Sequence, residues 1–211
     1  MTLLQLAGTA FVVGFSGAMM PGPVLTVTIT EVPRHGWTTG LLVSLGHGAV
    51  ELALVAALYL GAAPLISQSS FSKIVGLAGG AILLWMGGQM AIGGVRGSVG
   101  LRLDPEGGNA KPSRPAVLGG ATTLSNPYWY LWWATVGMAY MVQAMRHGYV
   151  GVAFFFSGHL MADVGWYSLV SVVMVLGQRA MNDAVYRALV GVCGLFLTGL
   201  GVYFVWFGVT S

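Results

Sequence analysis

Hydrophobic positions in this chain do not alternate with polar ones over short distances. They run on in six long apolar segments, Leu3–Val32, Thr38–Leu60, Ile74–Gly94, Pro115–Met145, Tyr149–Gly177 and Tyr186–Val209. A helix needs about 20 residues to cross a hydrocarbon core of roughly 30 Å, and every segment reaches that length. The two-residue alternation of a transmembrane barrel is missing. The pattern therefore predicts an all-α membrane protein with six transmembrane helices. The main polar interruption, Val95–Arg114, carries six charged residues, Gly107-Gly108 and two prolines. It reads as a surface linker between two groups of three helices. On this reading residues 1–211 are a single transmembrane domain, with repeat one at 3–94, a cytoplasmic linker at 95–114 and repeat two at 115–209.

The two groups resemble each other residue by residue. Arg34-His35-Gly36-Trp37 recurs as Arg146-His147-Gly148-Tyr149, 112 positions on. The same offset carries Gly46-His47 onto Gly158-His159, Glu51 onto Asp163, Gly79 onto Gly191 and Gly87 onto Gly199. A repeat determines architecture before any single motif does. Three crossings per copy make the second copy enter from the opposite side, so the fold expected is a pair of inverted repeats about an axis in the membrane plane. Basic residues set the orientation. Seven of the nine Lys and Arg residues fall in loops after the first, third and fifth segments, and only Lys73 and Arg146 fall on the other side. That bias places the linker in the cytoplasm and both termini outside. The N-terminus shows neither a basic region nor a cleavage site of the signal-peptide kind, so the first segment is expected to stay in the mature protein.

Composition sharpens the assignment and excludes other classes. Charged residues make up 7% of the chain and hydrophobic residues 56%, whereas a soluble domain carries about 25% charged residues. The net charge of +3 comes from these short loops and is no sign of a nucleic-acid partner. The single cysteine, Cys193, forbids an intramolecular disulfide or dithiol chemistry and reads as helix packing. Tryptophans and tyrosines near segment ends read as interfacial anchors. Glycines such as Gly76, Gly79, Gly80, Gly191 and Gly194 read as points of close helix approach. Such faces can pack within one chain or between copies, so a homo-oligomer stays open. Glu31 and Arg34 stand at a membrane edge and are expected to pair there.

The chemistry lies inside the apolar segments. His47 and Glu51 are four residues apart near the middle of the second segment, and His159 and Asp163 repeat them in the fifth. On a helix each His stands one turn from its acid. An ionisable group at that depth costs roughly 2.5–3.5 kcal/mol by insertion scales, so such groups face a bundle interior or an aqueous cavity. The inverted repeat maps Glu51 onto Asp163, so the two are expected to meet near the repeat axis, where both cannot ionise cheaply. They are then candidates for proton coupling, with His47 and His159 as relays.

Two segments carry breaks. Leu3–Val32 as one rod would be roughly 45 Å long, and it is interrupted by Pro21-Gly22-Pro23. The fourth segment contains Asn126-Pro127, a good start for a new helix. The first and fourth helices are therefore expected to break at prolines and restart inside the membrane. The plainer reading is a kink whose freed groups are satisfied by neighbours. On the functional reading each restart turns backbone N–H groups toward a cavity, where they suit a carboxylate. Thr26, with Thr30 on the same face, offers hydroxyl donors, although buried Thr commonly bonds its own backbone. Past the second break, Tyr128 to Trp133 is rich in aromatics, and an aromatic face there suits a substrate cation.

Pro21-Gly22-Pro23, Arg34-x-Gly36 leading to Gly40, Gly46, the intramembrane acid Glu51, Asn126-Pro127 and Asp163 together resemble the LysE-type amino-acid exporters, over almost the whole chain and in order. The resemblance implies a prokaryotic inner-membrane exporter of amino acids or related small solutes, driven by the proton gradient. Glu51 stands where Asp is common in that family, and His47, His159 and the aromatic run depart from its usual pattern. The combined reading is a secondary transporter working by proton-coupled antiport, with Pro21, Gly22, Pro23, Thr26, Glu51, Asn126, Pro127 and Asp163 as substrate-binding candidates. The alternative is a divalent transition-metal exporter in which His47, Glu51, His159 and Asp163 supply the ligands. No hydrolase signature stands out, no cofactor is expected, and the partners are a small solute, protons and the lipid bilayer.

Overall fold

The computed structural model of the chain describes residues 1–62, 69–97, 113–177 and 182–210. Most of the expected linker, residues 98–112, lies outside them. Among the described residues there are helices and no strands. In chain order they are α1 (Leu3–Ala18), α2 (Pro23–His35), α3 (Thr39–Ala57), α4 (Ser69–Arg96), α5 (Arg114–Leu124), α6 (Pro127–Trp132), α7 (Met138–Met145), α8 (Gly148–Gly177) and α9 (Asp183–Thr210). A short 3₁₀ turn at Gly36–Thr38 joins α2 to α3, and a π turn at Trp133–Gly137 joins α6 to α7. Four stretches are long and apolar enough to cross a membrane: Pro23–Ala62, Lys73–Arg96, Gly148–Gly177 and Asp183–Thr210. The chain is a multi-pass membrane protein.

The two expected breaks are present. α1 stops at Ala18 and α2 starts at Pro23, with Gly22 in extended geometry as its cap. α5 stops at Leu124, and Asn126 caps α6 by accepting from the Tyr128 amide at 3.1 Å. Proline as the first helical residue loses nothing, because its missing N–H would have no partner there. The recurring Arg-His-Gly element also does the same work twice. Gly36 and Gly148 end one helix and begin the next at φ 69° and 61°, values that a residue with a Cβ adopts only at a cost.

Packing explains much of the glycine pattern. α1 lies along α8, α5 lies along α3, α3 crosses α8, and α4 pairs with α9. A Cβ on Gly46 would run into the Ala116 carbonyl of α5, and one on Gly158 into the Ala7 carbonyl of α1. The matched glycines thus allow matched close approaches. α4 and α9 meet through Gly80, Gly87, Gly194 and Gly201 in the same way. Leu45, Leu52 and Trp206 point outward and are more than half exposed, as suits a surface solvated by lipid. The interior, by contrast, holds polar groups.

At one end of the bundle the expected pairing of Glu31 with Arg34 is present at 3.3 Å. Glu31 is buried and also meets Arg114 at 3.2 Å and His35 at 3.4 Å. This cluster ties the end of α2 to the start of α5.

Candidate functional site

The crossing of α3 over α8 brings the two His–acid pairs into one cluster. His47, Glu51, His159 and Asp163 are all at least nine-tenths buried. Each pair keeps its own one-turn contact, with His47 Nε2 3.2 Å from Glu51 Oε1 and His159 Nε2 3.5 Å from Asp163 Oδ2. Each also contacts the other, with His159 Nε2 3.1 Å from Glu51 Oε1 and His47 Nε2 3.8 Å from Asp163 Oδ2. The two carboxylates, 112 positions apart in the chain, therefore share two imidazoles. Ser44 strengthens the crossing by donating to the Asp163 carbonyl at 3.3 Å.

Glu51 is the hub. Its Oε1 accepts the indole N–H groups of Trp129 and Trp133, both at 2.9 Å. Trp129 on α6 and Trp133 just past its end are one turn apart and so share a face. The π turn begins at Trp133, and such turns are frequent at functional sites. It includes Gly137, where a Cβ would lie 2.6 Å from the Trp133 ring. Trp132 stacks on the His159 ring at 4.8 Å between centroids. Glu51 Oε2, Asp163 Oδ2 and His159 Nδ1 are buried without a hydrogen-bond partner. A buried polar atom left unpaired costs about 1–3 kcal/mol, which a bound cation or water would relieve.

These unpaired groups border a cavity of about 40 Å³, lined on one side by the first break and on the other by the acid cluster. Pro21 and Gly22 belong to its wall, as do Asn126, Tyr128, Trp129 and Trp132 of the second break. Pro127 packs instead against Gly79 of α4, where a Cβ would come within 2.9 Å of its ring. Pro23 and Thr26 are buried on α2 and are not among the lining residues. Thr28 and Thr30 bond the Val24 and Thr26 carbonyls at 2.9 Å, the plainer of the two expectations for threonines in this stretch.

Sequence reasoning offered the Tyr128–Trp133 run as an aromatic face, but missed the bonds of Trp129 and Trp133 to Glu51 and missed Thr123 altogether. Trp129 and Trp133 appear in the chain as part of an aromatic run, and their one-turn spacing beyond a helix restart was the available signal. Thr123, whose hydroxyl lies 2.6 Å from His47 Nδ1, gave no signal, because its partner is 76 positions away.

A bundle of apolar helices enclosing a polar, titratable cavity at two helix breaks defines a membrane transport protein. The family described as LysE type translocator matches residues 15–208, and the chain belongs to it. Among curated proteins and solved structures none matches the chain. Family and fold together make it a membrane exporter of small solutes.

Proposed function

We propose that the protein exports amino acids or closely related solutes from the cytoplasm by exchange with protons. One observation carries this reading: a single cavity presents groups complementary to both ends of a zwitterion. α2 begins in its wall at Gly22, which makes no side-chain cap, so the first amide groups of that helix are available to a carboxylate. Across the cavity, Glu51 and Asp163 offer oxygens without partners, which suit an ammonium group. Protons and the solute's cationic end then compete for the same two acids, and that competition is sufficient for antiport. At about 40 Å³ the cavity holds water or a small ion. A whole amino acid enters only when the breaks separate, as alternating access requires.

Three crossings per repeat, in opposite senses, are part of the proposal. α1 with α2 and α5 with α6–α7 are the broken first members, α3 and α8 the site-bearing second members, and α4 and α9 the third. The matching contacts of Gly46 with α5 and Gly158 with α1 support it. We place the 95–114 linker in the cytoplasm and both termini outside an inner membrane, on the charge bias of the loops. Single cysteines in the linker of a Cys193→Ser background should react with an impermeant maleimide only after the cells are opened. Labelling in intact cells reverses the orientation.

A second reading is favoured by a different observation. One ligand atom each from His47, Glu51 and Asp163 lies within 4.8 Å of the others, a mixed nitrogen and oxygen set suited to a divalent transition metal as cargo. A proteoliposome screen of amino acids and divalent metals under an imposed pH gradient separates the two. Export of amino acids alone supports the first reading, and export of metal alone overturns it.

The breaks themselves give a further expected outcome. Replacing Pro21 and Pro23 by alanine allows α1 and α2 to fuse into one helix, which would close the Gly22 wall with backbone hydrogen bonds. The variant should remain folded and lose transport. Full activity in a variant with normal yield would make the break purely architectural.

A further inference from the structure

His47 and His159 are matched by the repeat, yet their surroundings at Nδ1 differ. His47 Nδ1 lies 2.6 Å from the Thr123 hydroxyl, and that hydroxyl lies 2.7 Å from the Gly119 carbonyl. His159 Nδ1 is buried and has no partner. It faces Gly14 of α1, where a Cβ would come within 3.1 Å of it and 2.9 Å of Ala162. No hydroxyl-bearing side chain fits there without displacing its neighbours.

Proton bookkeeping then separates the rings. An unpartnered Nδ1 leaves neutral His159 with its proton on Nε2, donating to Glu51 Oε1 at 3.1 Å. That oxygen already accepts from Trp129 and Trp133 at 2.9 Å each. Indoles can only donate, so with His159 three donors crowd an oxygen that offers about two lone-pair sites. A fourth donor, from His47 Nε2 at 3.2 Å, would have to share this crowded oxygen. Asp163 Oδ2, at 3.8 Å from His47 Nε2, is beyond hydrogen-bond reach. A proton on His47 Nε2 would therefore have only that crowded oxygen as its acceptor. A proton on Nδ1 has a closer one at 2.6 Å: a carbonyl can only accept, so the Thr123 hydroxyl donates to Gly119 and its oxygen takes the Nδ1–H. Chains of this kind polarise one another cooperatively.

We propose that Thr123 is a positioning residue that holds neutral His47 as the Nδ1–H tautomer, opposite to His159, so that His47 Nε2 presents a lone pair toward the space between Glu51 and Asp163. With the unpartnered Asp163 Oδ2 beside it, this lone pair makes His47 an acceptor for the cationic end of the solute, whereas His159 and the two tryptophans hold Glu51 in place. The identity of that occupant rests on the function proposed above, but the tautomer does not.

The test is nitrogen NMR of the full-length protein, labelled with ¹⁵N-histidine and purified in detergent at a pH where the rings are neutral. His47→Gln and His159→Gln variants assign the signals. The expected spectrum has a protonated Nδ1 and bare Nε2 for His47, and the reverse for His159. Thr123→Val, which keeps the shape and removes the hydroxyl, should move the His47 proton to Nε2 or mix the two forms, and Thr123→Ser should restore the wild-type pattern. His47 protonated at Nε2 in the wild type overturns the proposal. So does an unchanged His47 signal in folded Thr123→Val. Because the spectrum reads the ring without any solute, a failed transport screen with the expected tautomers would overturn the transport reading alone.

Discussion

Export by the Glu51→Gln variant is expected to fall by on the order of a hundredfold, corresponding to the loss of about 2–3 kcal/mol of charge-assisted hydrogen bonding. Glu51 Oε1 accepts from Trp129, Trp133 and His159 within 3.1 Å. Glutamine keeps one oxygen in nearly the same place, so the variant should still insert and give a monodisperse preparation. It replaces the unpartnered Oε2 with an amide that donates, which turns an attractive wall of the cavity into a repulsive one for a cation. Asp163→Asn removes the second acceptor and should also lose proton-driven export. Its contacts to the imidazoles are longer, at 3.5 and 3.8 Å, so its stability should change less than that of Glu51→Gln. The measurement is efflux from proteoliposomes across an imposed pH gradient, together with thermal unfolding in detergent. Wild-type rates with unchanged pH dependence in both variants would reduce the cluster to packed ion pairs and end the antiport proposal.

The second large effect is on assembly. Gly46→Val and Gly158→Val each place carbon atoms where a neighbouring backbone carbonyl now lies, that of Ala116 and of Ala7. Overpacking costs typically 1–3 kcal/mol, and here the obstacle is backbone, which cannot rotate aside. Either variant should push α5 from α3 or α1 from α8, lower the unfolding temperature and widen the site between them. The two should behave alike because the repeat gives them the same task. Gly165→Ala on α8 is the control, since nothing lies within 4 Å of a Cβ there. It should be neutral or gain up to about 1 kcal/mol from helix propensity. Normal stability in both valine variants would remove the close approaches as an account of the glycines.

Particular residues show how far the chain alone could be read. The broken helices were legible because proline acts locally: it lacks an N–H and restricts the residue before it, whatever surrounds it. The apolar segments were legible because lipid makes the same demand on every residue that faces it. The four buried titratable residues were legible because a charge in such a segment has a cost that only an interior site can offset. That Glu51 and Asp163 meet was legible from the repeat, but the pattern of their contacts was not. One-turn spacing gives each His its own acid, and only the crossing of α3 over α8 shows both imidazoles against Glu51 Oε1, with Glu51 as the hub. Thr26 and Pro23 were legible as neighbours of a break, but they are buried on α2 outside the cavity lining.

The sequence by itself determined an all-helical membrane protein, its two internal copies, its two breaks and the residues with titratable chemistry, because each of these follows from local backbone chemistry, solvation or a repeated string. The tertiary structure alone decided that Trp129 and Trp133 bond Glu51, that Thr123 belongs to the site, and that two histidines matched by the repeat have different partners. The reason is physical: hydrogen-bond partnership depends on which helix faces cross at a few ångströms, and contacts such as His47 with Thr123, 76 positions apart, leave no periodicity in the chain.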